Sequence, residues 1–94
     1  MKNLMSNEKE CYMCHTTEDL HKHHVFFGNG RRRLSEQDGC WCYLCARHHN
    51  MSDLGVHFNK DLDNFLKRVC QKKWEMVRGT RADFIKRFGR NYLG

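Results

Sequence analysis

Apolar and polar positions follow two different rhythms along this chain. From residue 62 onward apolar residues recur at helical spacing, with Leu62, Phe65, Leu66, Val69, Met76 and Val77 on one face and Asp63, Lys67, Lys72 and Glu75 opposite. Asn59 is placed to cap the start of this helix, and Gly79 to end it in the left-handed conformation. Thr80 followed by Asp83 is a short-armed capping box, so a second helix is expected over residues 81–88, burying Phe84, Ile85 and Phe88 and stopping at Gly89. Upstream the rhythm changes. Residues 20–27 end in the β-branched and aromatic Val25, Phe26 and Phe27 and stop at Gly28-Asn29-Gly30, a strand running into a turn. A second short strand is expected over residues 40–45, after Gly39. Between the two lie Arg31-Arg32-Arg33 and the polar residues 35–38, read as the wide loop of a β-hairpin. Residues 1–10 carry no periodicity and read as a frayed tail. No repeat or low-complexity linker divides the sequence, so residues 1–94 are expected to form one domain of α+β class: a tail (1–10), a hairpin segment (11–59) and two C-terminal helices (60–94).

Size and charge sharpen this picture. A 94-residue chain with 39% apolar content has a small core, and such cores usually need a staple. Six cysteines could provide one, as disulfides or as metal ligands. Residues 1–9 are polar and charged with no apolar core of a leader peptide, and no stretch is apolar for long enough to cross a bilayer. A cytoplasmic location without membrane association is therefore expected, where thiols stay reduced and metal ligation is favoured. The formal net charge of +6 points to a polyanionic partner.

The cysteines are spaced for a metal. Cys11-x-x-Cys14 and Cys45-x-x-His48 each hold two side chains at the spacing of a tight turn, and together offer a closed Cys3His set suited to structural Zn2+. Cys42-x-x-Cys45 has the same spacing and leaves Cys42 open as the alternative fourth ligand to His48. Cys42 lies inside a strand-like run, whereas Cys45-Ala-Arg-His48 begins where that run breaks, which favours His48. Cys40 and Cys70 read as partly buried thiols. Two histidine pairs flank the expected hairpin: His23-His24 at the end of the first strand, and His48-His49 followed by Asn50 after the second.

The order Cys-x-x-Cys, strand ending in His-His, loop, then Cys-x-x-His-His resembles the HNH endonucleases of the ββα-metal fold, a treble-clef-like zinc-stapled architecture. Small phage-type and prophage-type HNH proteins linked to recombination or DNA processing are the most similar, and the resemblance covers residues 11–59. It implies a phage or prophage protein acting in a bacterial host cell. It also implies His23 as a ligand of a catalytic cation, His24 as the general base, and His49 as a second ligand. A third ligand is expected from His57, or from Asp53, since positions 49, 53 and 57 share one face if a helix runs that far; Gly55 interrupts it. The family's middle asparagine has no counterpart between Leu34 and Leu44; Asn29 is the substitute, with Asn50 the other. His48 stands where most relatives carry cysteine.

The implied reaction is hydrolysis of DNA phosphodiester bonds, by nicking or double-strand cutting, on duplex or on branched recombination intermediates, leaving 5′-phosphate and 3′-hydroxyl ends. Mg2+ or Mn2+ is the expected catalytic ion, with Ni2+ or Zn2+ also compatible with imidazole ligands. Arg31, Arg32 and Arg33 are placed to lie along a phosphate backbone, and Lys67, Arg68, Lys72 and Lys73 could extend that basic face. A homodimer is compatible with these features. The competing hypothesis is a zinc-stapled nucleic-acid-binding module without catalysis, for which a histidine in the place of His24 has no use.

Overall fold

The computed structural model describes residues 3–6, 8–28, 30–51 and 59–94. Asn29, Asp53 and His57 lie outside them, as does the side chain of Asn50. The architecture is a small α+β arrangement. Two antiparallel strands, β1 (Leu20–His24) and β2 (Trp41–Cys45), are followed by a π-helical turn (Arg47–Met51) and two helices.

The ladder register pairs Leu20 with Cys45, Lys22 with Tyr43, His23 with Cys42 and His24 with Trp41. Side chains alternate along a strand, and residues paired across a ladder share a side. Leu20, Lys22 and His24 therefore stand with Tyr43 and Trp41 on one side, and His21 and His23 with Leu44 and Cys42 on the other. The second side faces the core: Cys42 and Leu44 are fully buried and His23 is 3% exposed. Pairing stops at His24, short of the expected residue 27, because Val25 and Phe26 turn inward and are completely buried.

The segment read as a wide loop is a helix, α1 (Arg31–Asp38). Its polar sequence gives no apolar stripe, and tertiary contacts stabilise it instead. Ser35 is fully buried, its hydroxyl donating to Phe26 O (2.6 Å) and accepting from Phe26 N (3.1 Å), which fastens α1 to the chain just beyond β1. Asp38, also buried, accepts from Trp74 Nε1 (2.9 Å) and Arg87 Nε (2.5 Å). Gly39, left-handed at φ 74°, closes the helix and returns the chain to β2. Helical geometry spreads the three arginines around α1 in place of a flexible basic run. Arg31 is half-buried against Gly89, while Arg32 and Arg33 are exposed.

The C-terminal helices α2 (Lys60–Val77) and α3 (Arg81–Phe88) fall where patterning puts them. Asn59 Oδ1 accepts from Leu62 N at 3.1 Å, and Thr80 and Asp83 form the reciprocal capping box at 3.0 and 3.1 Å. The buried stripe of α2 is rotated from the expected one. Leu62, Leu66, Cys70, Gln71 and Trp74 face inward, whereas Phe65, Met76 and Val77 are exposed, as is Ile85 on α3. Trp74, with its hydrogen bond to Asp38, sets this rotation. Gly79 is not left-handed; Arg78 ends α2 in right-handed geometry, and a Cβ at Gly79 would sit 2.8 Å from Asp83 Oδ2, the capping oxygen. Gly89 does end α3 in the left-handed region. Lys67, expected on an exposed basic face, is drawn in by Asp63 (2.9 Å) and lies over the Phe27 ring.

The core joins these elements through aromatic rings. Phe26 packs against Phe88 (centroids 4.7 Å) and Tyr92 (5.3 Å) with tilted rings and against Phe84 (5.2 Å) edge-on, so the residues just beyond β1 bind the C-terminal helix to the hairpin. Cys40 and Cys70 are fully buried within it, not partly. The N-terminal residues are not frayed throughout: Leu4 N donates to Gly39 O, Met5 is 3% exposed, and Lys73 Nζ donates to Met5 O. Among the described residues no helix is long and apolar enough to cross a membrane.

Candidate metal centre

The two Cys-x-x pairs meet. One ligand atom from each of Cys11, Cys14, Cys45 and His48 lies within 4.8 Å of the other three. Cys14 Sγ is 3.7 Å from Cys45 Sγ, and His48 Nδ1 is 3.2 Å from Cys45 Sγ and 3.7 Å from Cys11 Sγ. Tetrahedral zinc, with bonds of about 2.3 Å to sulfur and about 2.0 Å to nitrogen, sets its ligands about 3.8 Å (S–S) and about 3.5 Å (S–N) apart. The cluster could therefore hold a metal ion and is consistent with a structural zinc.

Local backbone explains why these four converge. Residues 11–16 form a turn closed by Cys11 N to Thr16 O and His15 N to Cys11 O, and Tyr12 N donates to Tyr43 O, docking the turn on β2. Burial pushes the Cys11 thiol up, but backbone N–H groups of Cys14, Cys45 and Met13 hydrogen-bond to its sulfur and bring it from 9.0 to about 6. That is the environment of a thiolate ligand. The alternative ligand, Cys42, is excluded by strand geometry. Cys42 and Cys45 are three apart on an extended strand and so face opposite sides, whereas His48 follows a turn that brings it back to Cys45. Burial pushes the Cys42 thiol to about 12, the reverse of what a ligand needs.

The π-helical turn sends its two histidines in different directions. His48 joins the thiols; His49 packs against β1, with its Nδ1 3.0 Å from His21 Nδ1 and its ring 5.4 Å from that of His23. His24 does not join this group. It stands on the other side of the strand, where its Nε2 lies 2.9 Å from Glu36 Oε1 on α1, and Lys22 Nζ donates to Glu36 Oε2 at 2.8 Å. The Lys22 ammonium first, and the His24 ring second, hold the Glu36 carboxyl below its usual range. Because β1 ends at His24, both sides open on one cleft of about 280 Å³, lined by Lys22, His23, His24, Phe27, Arg32 and His49. A larger hollow of about 470 Å³ beside the cysteine knuckle is lined by Cys14, Thr16, Glu18, Asp19, Cys45, Ala46 and Arg47, with no histidine among them.

Of the expected site residues, the structure brings Cys11, Cys14, Cys45 and His48 together, sets His23 beside His49, and opens His24 and Arg32 onto the same cleft. Arg31 and Arg33 do not line it. His57 and Asn29 fall outside the described residues. Two residues went unassigned in the sequence. His21 is visible in retrospect from strand parity, two positions before His23. Glu36 could not be found, since nothing in residues 31–38 signals that they form a helix beside β1. No known protein family, curated protein or solved structure matches this chain.

Proposed function

We propose that this chain is a metal-dependent endonuclease of HNH type, in which the hairpin, the knuckle and the turn that follows act as a ββα-metal module. The supporting observation is the shared cleft, whose lining includes His23, His24, His49 and Arg32. The Cys3His cluster supports the same reading, because it fastens the segment that carries His49 to the rest of the hairpin.

In this reading His23 and His49 would hold a divalent cation, which would supply Lewis-acid stabilisation of the charge that develops on the phosphate. His24 takes a proton from the attacking water. Arg32 aligns the phosphate by charge-assisted hydrogen bonds, without reading bases. DNA is the proposed substrate, with binding that weakens steeply as salt rises.

The test is nicking of supercoiled plasmid by zinc-loaded protein with Mg2+, Mn2+ or Ni2+ added. Wild type is expected to cut. His24→Ala is expected to retain DNA binding and zinc while cutting about 10² to 10⁴-fold more slowly. Equal rates would remove His24 from its role, and tight binding by wild type without cutting under any of these ions would favour the non-catalytic binding module.

A further inference from the structure

We infer that Glu36 is the positioning residue for His24, fixing which ring nitrogen is left to accept a proton. This rests on the nuclease reading for its functional meaning, but the structural part stands by itself.

An imidazole acts as a base through one nitrogen only while the other carries its proton, so a general base needs a partner that selects the tautomer. The contact of 2.9 Å between His24 Nε2 and Glu36 Oε1 supplies one. An ionised carboxylate can only accept, and Lys22 on the second oxygen, at 2.8 Å, favours the ionised form. Nε2 must then carry a proton, and in the neutral ring that leaves Nδ1 as the nitrogen with the lone pair. The His24 side chain is only 11% exposed, so the ring has little freedom to re-orient.

Glu36 is itself held in place. Its neighbour Ser35 is fully buried and bonded through both hydroxyl functions to the backbone of Phe26, two residues beyond His24. Glu36 N–H lies one peptide from that clamp, and Gly39 N returns to Glu36 O at the end of α1. The helix that carries the carboxylate is therefore tied to the same stretch of chain that carries the imidazole. This is the arrangement expected where orientation must be kept through a catalytic cycle. Among the described residues Glu36 is the side chain that meets His24 Nε2.

Two measurements test this on the zinc-loaded full chain. Two-bond proton–nitrogen correlations of histidine-labelled protein should show His24 with its proton on Nε2, and Glu36→Ala should populate both tautomers. In the plasmid assay Glu36→Ala should lower kcat roughly 10 to 100-fold with KM unchanged. An unchanged tautomer in Glu36→Ala overturns the inference, as does a rise in KM with kcat preserved. If wild type fails to cut at all, the nuclease reading falls, while the tautomer measurement still decides whether Glu36 orients His24.

Discussion

Removing the metal from the Cys3His cluster is expected to lower stability by about 4 kcal/mol or more. The cross-link between Cys14 and Cys45 spans 31 positions, and closing a loop of that length removes about 12 cal/mol/K of chain entropy from the unfolded state, or about 4 kcal/mol at room temperature. The ligand bonds themselves add to this, and their loss leaves the thiols of Cys11 and Cys45 buried at 0% and 7% exposure without their common partner. A folded domain of this length is stable by only about 5–15 kcal/mol in all, so the stripped protein loses a large share of its stability. For a chain of this size each kcal/mol is worth about 4–8 °C, which places the loss at about 20 °C or more. Thermal melts by circular dichroism, on zinc-loaded protein and after a strong chelator, measure it directly. Metal analysis should give one zinc per chain, abolished in His48→Ala and retained in Cys42→Ala. A chelated protein that melts within a few degrees of the loaded one would refute the staple, and zinc lost from Cys42→Ala but kept in His48→Ala would refute the ligand assignment.

Two further outcomes follow from buried groups. Asp38→Ala strands the buried Trp74 Nε1 and frees Arg87, and should cost about 2–4 kcal/mol in urea unfolding without changing zinc content; a loss below about 1 kcal/mol would mean that water replaces the carboxylate. Alkaline pH should also destabilise the fold. The Cys42 thiol rises from 9.0 to about 12 through burial and, secondarily, the Cys11 charge, while Cys70 rises well above 9.0 through its hydrogen bond to Cys40 and burial. Thiols whose folded values are raised contribute fully below the unfolded value and lose that contribution as pH climbs from about 9 toward 12. Cys70→Ala should flatten the decline, and an equally steep decline in that variant would exclude the thiol as its source.

What the sequence carries and what it does not divides along the range of the interactions involved. The knuckle is legible because Cys11, Cys14, Cys45 and His48 answer to a local rule, two ligands per tight turn. The starts of α2 and α3 are legible because Asn59, Thr80 and Asp83 cap within three residues of themselves. Helix α1 is not, since it depends on Ser35 reaching Phe26 and on Asp38 meeting Trp74 and Arg87, contacts up to 49 positions apart that no window detects. The same long-range bond rotates α2, bringing Trp74 and the polar Gln71 inward and leaving Met76 out at 80% exposure. Gln71 is tolerated inside because it bonds Glu75, Asn91 and Tyr92 N, a polar network tying down the chain after α3.

The histidines pose a stricter problem. In the proposed reading a cation ligand and a general base must both reach one phosphate, yet His23 and His24 are adjacent on a strand and point to opposite sides of it. In the middle of a sheet that parity would separate them by the thickness of the sheet. At the strand's end it need not, because the paired ladder stops at His24 and Trp41, followed only by the Val25 N to Cys40 O bond before Phe26 is buried in the core. Each side then has its own support: the core and His49 for His23, α1 and Glu36 for His24. The two adjacent imidazoles thereby receive different environments from consecutive positions, which the proposed division of tasks between them requires. This ties the proposed chemistry to where β1 stops, and it gives the clamp from Ser35 to Phe26, placed at that very boundary, a part in the proposal although it touches none of the histidines.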